Sequence, residues 1–231
     1  MDTLINIVTD YVREKMDTGT SWYDWPFDAN KVPQGVLVGS VEGGDWYARN
    51  VDLKQRLNKT WQVFPERRLE LERYYIADWG GVRGNRAETL ARYHSATAAE
   101  NIANGDVGIA SWSKALCVRD PLAFAIFDAR VSASLNALQV IHAARIAQPV
   151  RFPLLASRHG TVRNGGRRLT RYFQDRAWPA KLDTFYTNYL SLCVSVATDA
   201  GKPESPLPLY TVEMLLFAHA EELLRQAFPE L

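Results

Sequence analysis

Apolar residues recur at helical spacing in one segment after another of this chain, and only one short stretch reads as a strand. Leu4, Ile7, Val8, Tyr11 and Val12 mark a first helix over residues 3–16. A loop rich in Trp, Asp and Pro follows, and then "VLVGSV" at 36–41, the strand candidate, closed by Gly43 and Gly44. From about residue 66 the pattern is helical. "ERRLELERYYIADW" carries its apolar residues in mixed register and stops at Gly80 and Gly81, and "NRAETLARYHSA" and "TAAENIAN" predict short helices after it. Val131, Leu135, Leu138 and Ile141 form one stripe, which predicts an amphipathic helix over 129–143. Further helices are expected at 166–176, at about 180–200, and from Tyr210 to near the end, beyond Pro203, Pro206 and Pro208. The expected fold class is mostly α with a small N-terminal β element, in two parts: an N-terminal segment 1–65 and a helical domain 66–231.

With 231 residues, 47% of them hydrophobic and 23% charged, the chain has material for a sizeable core. No run approaches the ~20 apolar residues of a membrane span. "MDTLINIVTDYVREKM" lacks the basic flank and cleavage site of a signal peptide, so a cytoplasmic protein is expected. Cys117 and Cys193 lie in apolar surroundings and read as buried thiols of a reducing compartment. Two cysteines, and four histidines without ligand spacing, predict no metal site. The net charge of +1 hides an asymmetry: residues 151–176 hold seven arginines and one aspartate. Such a segment reads either as a phosphate-binding surface or as a solvated loop.

The segment "SWSKALCVRDPLAFAIFDARVSASLN" at 111–136 places Lys114 and Asp128 in otherwise apolar surroundings. Upstream, "ENIANGDVGIASWSKALC" reads as a helix, a turn bracketed by Gly105 and Gly108, and a second helix. Backbone N–H groups at the start of that second helix, together with its dipole, suit a phosphate. Lys114 lies about one turn in, where the dipole and apolar neighbours disfavour an ammonium relative to the neutral, nucleophilic amine. Asp128 stands at the N-cap place of the 129–143 helix, where the dipole keeps a carboxylate ionised. Taken singly, a lysine is ordinarily a solvated side chain and an aspartate before a helix ordinarily a cap.

Together, the order helix, hairpin, helix, lysine, apolar run and capping aspartate resembles the helix-hairpin-helix DNA glycosylase superfamily. In its bifunctional members a hairpin Gly-x-Lys-Thr/Val is followed by a Val-Asp-x-His/Arg-Val segment, and the matching stretches are "ASWSKAL" and "IFDARV". "VEMLLFAHAEEL" is similar to the last helix of the 8-oxoguanine DNA glycosylase branch, in which a glutamine and a phenylalanine four residues later hold the extruded base. Glu213 and Phe217 stand at those places, one turn apart on one face. The resemblance runs over about 66–231, with the helix-hairpin-helix at about 97–118. Two features depart from it: the Lys114-to-Asp128 spacing is about one turn short, and "GDVGIASW" replaces the usual Leu-Pro-Gly-Val-Gly.

The resemblance implies a partner, double-stranded DNA with one nucleotide flipped out, and chemistry at C1′ that needs no cofactor. It implies no membrane and no obligate protein partner. Lys114 would be the nucleophile and Asp128 the stabiliser of an oxocarbenium-like transition state. Glu213 and Phe217 would hold the base, and Trp79 is read either as a wedge filling the vacated stack or as core packing. DNA would be gripped by Gly105, Gly108, Ser111, Trp112 and Ser113 of the hairpin and by Arg163, Arg167 and Arg168, while Arg130 reads either as a further phosphate contact or as a surface charge. A carboxylate only accepts hydrogen bonds, and guanine offers adjacent N1–H and N2–H₂ donors, so Glu213 in the pocket predicts a guanine-type base; the other reading of Glu213 is a surface residue on an amphipathic helix. Two other readings stay open: a DNA-binding module of this fold without catalysis, and an unrelated helical protein in which Lys114 and Asp128 form a structural pair.

Overall fold

The computed structural model describes residues 1–36, 44–202 and 205–231. Its α-helices are α1 (Asp2–Asp17), α2 (Trp46–Val63), α3 (Arg68–Arg73), α4 (Ala87–Ser95), α5 (Ala98–Ile102), α6 (Ile109–Arg119), α7 (Ala129–Ile141), α8 (Gly160–Asp175), α9 (Phe185–Ala200), α10 (Leu209–Ala218) and α11 (Ala220–Ala227). Among the described residues there is no strand, and the one β-type pairing is an isolated bridge between Lys202 and Ser205. The protein is mostly α. The expected strand at 36–41 lies, Val36 apart, outside the described residues, and Val36 itself sits buried in a turn.

The chain divides into two compact units, residues 23–126 in one and residues 1–22 with 127–231 in the other. This differs from a division at residue 65: the N-terminal helix joins the C-terminal half, and the chain passes between units just before Asp128.

The 23–126 unit is built round α6, which is buried on every side from Ser111 to Val118. A helix apolar over its whole surface has to be surrounded, and α2, α3 and α4 pack on it. Helix α2 starts where the Asp45 carboxylate accepts from Ala48 N (2.8 Å). Its buried face mixes Leu53 and Leu57 with Asn50, Lys54 and Thr60. Asn50 accepts from Trp79 Nε1 (2.8 Å) and donates to Trp25 O (3.0 Å). Helix α3 runs on into a π-helical turn, Tyr74–Trp79. Its wider turn inserts a residue into the helical period, which accounts for the mixed register in the sequence. Thr97 and Glu100 form a capping box at α5.

The other unit is built round α7 in the same way. Instead of the amphipathic helix expected at 129–143, α7 ends at Ile141 and is buried throughout Val131–Gln139, Ser132, Ser134, Asn136 and Gln139 included. Those polar side chains are satisfied by backbone: Asn136 Nδ2 donates to Phe152 O (3.1 Å), Gln139 Nε2 to Val150 O (2.8 Å), and Ser134 Oγ to Leu216 O. They stitch the extended 150–153 segment and α10 onto α7. Helix α8 starts six residues before the expected boundary, at Gly160, and the expected C-terminal helix is broken at His219 into α10 and α11. Each unit is therefore built round a buried helix, α6 in one and α7 in the other, with α10 buried from Leu209 to Leu216 as well. The two anomalous charges of the 111–136 segment belong to α6 and α7.

Candidate functional site

In the 23–126 unit, the turn between α5 and α6 carries Gly105 (φ 60°) and Gly108 (φ 70°) in the left-handed region. Gly108 is required twice over: its φ suits a residue without Cβ, and a Cβ there would collide with the Tyr93 hydroxyl. The side chains that follow turn inward. Ser111 Oγ accepts from Asn85 Nδ2 (2.8 Å), Trp112 Nε1 donates to Val107 O (3.1 Å), and Ser113 Oγ donates to Ile109 O (2.6 Å). Toward solvent this turn shows Ala103, Val107 and Gly108, with Asn104 and Asp106 half-buried.

Lys114 is 3% exposed. Side chains on a helix lean toward its N-terminus, and this one folds back a full turn, so that Nζ donates to Ala110 O (2.7 Å). Its aliphatic stem passes Gly80, where a Cβ would stand 2.5 Å from Lys114 Cε and 2.8 Å from Cδ. Gly80 directly follows the π-helical turn, so that irregularity brings a residue without a side chain against the lysine. Trp79, one residue earlier, is 7% exposed, stacked on Tyr75 (centroids 4.2 Å apart) and hydrogen-bonded to Asn50. Of its two readings, core packing is the one observed, because a ring held on both counts is not presented as a wedge.

The same unit holds a buried ionic hub that nothing in the sequence pattern announced. The Glu72 carboxylate, 2% exposed, accepts from Arg119 Nε (2.9 Å) and Trp61 Nε1 (3.2 Å) and pairs with His94 Nδ1 (3.0 Å). Arg119 goes on to donate to the carbonyls of Tyr93, His94 and Ala96. The end of α6 is thereby fastened to α3 and to the end of α4.

In the other unit, Asp128 is the N-cap of α7: its Oδ1 accepts from both Arg130 N (2.9 Å) and Val131 N (3.1 Å). Arg130, two residues on, lays its guanidinium over the Phe217 ring (5.1 Å to the centroid) while donating to Glu221 Oε1 (3.1 Å). Glu221 also meets His159 Nε2 at 3.3 Å and Arg225 at 3.4 Å. In the sequence the signal for Glu221 is the four-residue step from Phe217, which the helix break at His219 obscures, and His159 carries none.

Glu213 is 1% exposed, one turn before Phe217 on α10, so the carboxylate is interior. It lies close enough to α9 to act on Tyr189. Burial pushes that hydroxyl well above its ordinary range, and the neighbouring Cys193 and Glu213 push the same way. Arg163 and Arg167 stand exposed, one turn apart on α8. Arg167 and Arg168 line a shallow groove with Asn164, Arg171, Glu230 and Leu231, where Arg168 meets Glu230 at 3.5 Å.

The structure thus groups Asp128, Arg130, Glu213, Phe217, Arg163, Arg167 and Arg168 in one unit, and Lys114, Trp79, Gly105, Gly108, Ser111, Trp112 and Ser113 in the other. Among the described residues, no three of His, Cys, Asp and Glu come together so as to hold a metal ion, and no helix is long and apolar enough to cross a membrane. Comparison of the chain with protein-family models, with curated proteins and with solved structures finds no match.

Proposed function

We propose that this protein is a bifunctional DNA glycosylase/AP lyase of the helix-hairpin-helix, 8-oxoguanine-type class, acting inside the cell on a guanine-type base. The observation that carries it is the Lys114 amine, folded back beside a residue that leaves it room. Lys114 stands six residues after Gly108 rather than the two of a Gly-x-Lys pattern, yet Nζ bonds the carbonyl of Ala110, two residues after Gly108.

In this mechanism DNA is held by its phosphates and one nucleotide leaves the stack. The Lys114 nitrogen forms a bond to C1′ as the C1′–N9 bond breaks, the base departing with that electron pair and taking up a proton. The new C1′ ammonium gives up a proton and the C1′–O4′ bond opens with O4′ taking one up, which yields the protonated Schiff base; this acidifies C2′–H, and removal of that proton breaks the C3′–O bond by β-elimination, the 3′-phosphate leaving. Asp128, at the N-terminus of α7, stabilises the positive charge that grows on the sugar. Phe217 stacks on the base, and the Glu213 carboxylate accepts from a guanine-type N1–H and N2–H₂. The residues supply nucleophile, charge and stacking face themselves, so the chemistry requires no cofactor.

The test is a panel of duplexes, each with one modified base or an abasic site, incubated with the protein and borohydride. Nicking of an oxidised-guanine duplex and a trapped adduct that disappears in Lys114→Ala are expected. DNA binding without nicking or adduct would instead define a non-catalytic module.

A further inference from the structure

The sequence allows Arg130 either a phosphate contact or a surface place. Its placement points to another partner. The guanidinium lies over the ring of Phe217 and is tied at its far end to Glu221, which leaves it facing an aromatic plane. Its main-chain N–H is held by the Asp128 carboxylate (2.9 Å). The group over Phe217 is thus two residues from the proposed transition-state carboxylate and shares its helix cap.

We infer that Arg130 is the second wall of the base site: a flipped base enters between Phe217 and the Arg130 guanidinium and is sandwiched by a ring on one face and a planar cation on the other. This rests on the proposed DNA-base chemistry and names the feature of the base that is selected. Arg130 Cζ is 5.1 Å from the ring centroid. A base needs a stacking gap of roughly 3.5 Å on each face, so the guanidinium has to withdraw by only about 2 Å, within the reach of an arginine side chain. Without a base, Arg130 covers one face of the half-buried ring. A planar cation is attracted to an electron-rich face, which favours a purine such as oxidised guanine over an alkylated, positively charged base. Glu221, braced by His159 and Arg225, sets the plane of the guanidinium. Arg130 is therefore a specificity residue, and Glu221 positions it.

The experiment compares affinities for two uncleavable duplexes identical except at one nucleotide. One carries 2′-fluoro-8-oxoguanosine, whose fluorine blocks formation of the oxocarbenium; the other carries a tetrahydrofuran abasic analogue. The ratio of the two affinities isolates the contribution of the base. The wild type is expected to prefer the base-containing duplex. Arg130→Met and Arg130→Lys should both lower the ratio, by about three- to thirty-fold, toward that of Phe217→Leu, and the salt dependence of binding should stay as it is in the wild type. A phosphate contact behaves differently: lysine would rescue it, and methionine would lower the slope of log affinity against log salt by about one. Rescue by lysine, that loss of slope, or a wild-type ratio of one overturns the inference. The lyase proposal fails separately. A missing borohydride adduct together with a ratio that depends on Arg130 removes the lyase and keeps the sandwich, and an adduct with an unchanged ratio does the reverse.

Discussion

Gly80 and Lys114 fit together only because one of them has no side chain: a Cβ on Gly80 would lie 2.5 Å from Lys114 Cε and 2.8 Å from Lys114 Cδ. The same Cβ would stand 2.8 Å from Tyr75 O, so backbone closes the other side. A buried lysine stem cannot simply swing away, because α6 is surrounded. The pair couples a helical irregularity to the placement of an amine.

Gly80→Ala should therefore displace the Lys114 side chain as well as strain its surroundings. Overpacking of this kind costs about 1–3 kcal/mol, measurable as a lower denaturation midpoint. Borohydride adduct formation per folded molecule should fall well below wild type. Stability lost without any change in adduct yield would show that the amine does not depend on this glycine.

Glu72 offers a test confined to the frame. Its carboxylate is 2% exposed and joins Arg119, His94 and Trp61. Removing one partner of a buried pair leaves the other uncompensated, at a cost of about 3 kcal/mol. Glu72→Ala should destabilise the protein by that order in urea unfolding, and Glu72→Ala with Arg119→Met should recover part of it. A loss under about 1 kcal/mol, typical of an exposed pair, would contradict the hub.

What could be read from sequence depended on where polar residues were spent. Helices α1 and α9 are legible because apolar residues dominate the faces they bury, as Leu4, Ile7, Val8 and Val12 do beside Thr9 in α1. Helix α2 was not, since Asn50, Lys54 and Thr60 occupy its buried stripe and break the period on which such a reading depends. The apolar stripe of α7 was correct, but Ser132, Ser134, Asn136 and Gln139 look solvent-facing until the carbonyls of Phe152, Val150, Pro153 and Leu216 are brought to them. At the candidate site, the cap at Asp128 and the glycine turn before Lys114 were legible as local signals. The roles of Gly80, Glu221 and His159 were not, because each arises from packing between segments distant in sequence.

Glu222 makes the pH response of the α11 region predictable. Partial burial raises its carboxyl, but hydrogen bonds from His219 and Lys15 and the charge of those two groups outweigh it, and the pKa lies below the ordinary 4.5. A carboxylate whose folded pKa is depressed adds stability above its unfolded pKa and loses it as pH falls through the folded value. Stability should decline below about pH 4.5. Glu222→Gln should be less stable than wild type at pH 6 and converge on it in acid, as followed by thermal unfolding across that range. A difference that persists unchanged at low pH would show that the hydrogen-bond geometry, not the charge, is what matters.

Asp128 separates capping from catalysis more cleanly than any other residue. Its Oδ1 accepts from Arg130 N and Val131 N, and an asparagine side-chain oxygen can accept the same two bonds, since Asn caps helices about as well as Asp. Alanine can accept neither. Asp128→Ala should therefore cost about 1 kcal/mol of stability, and Asp128→Asn little. The charge, however, is lost in both. Stabilisation of a developing cation by a positioned group is worth on the order of 10²–10³ in rate, so both variants should release the base that much more slowly in single-turnover assays. DNA affinity should change far less than turnover, because the carboxylate is assigned to the transition state and not to the phosphates. An asparagine variant that turns over at the wild-type rate would leave Asp128 with the helix cap as its whole role, and a stabiliser for the sugar cation would have to be sought elsewhere.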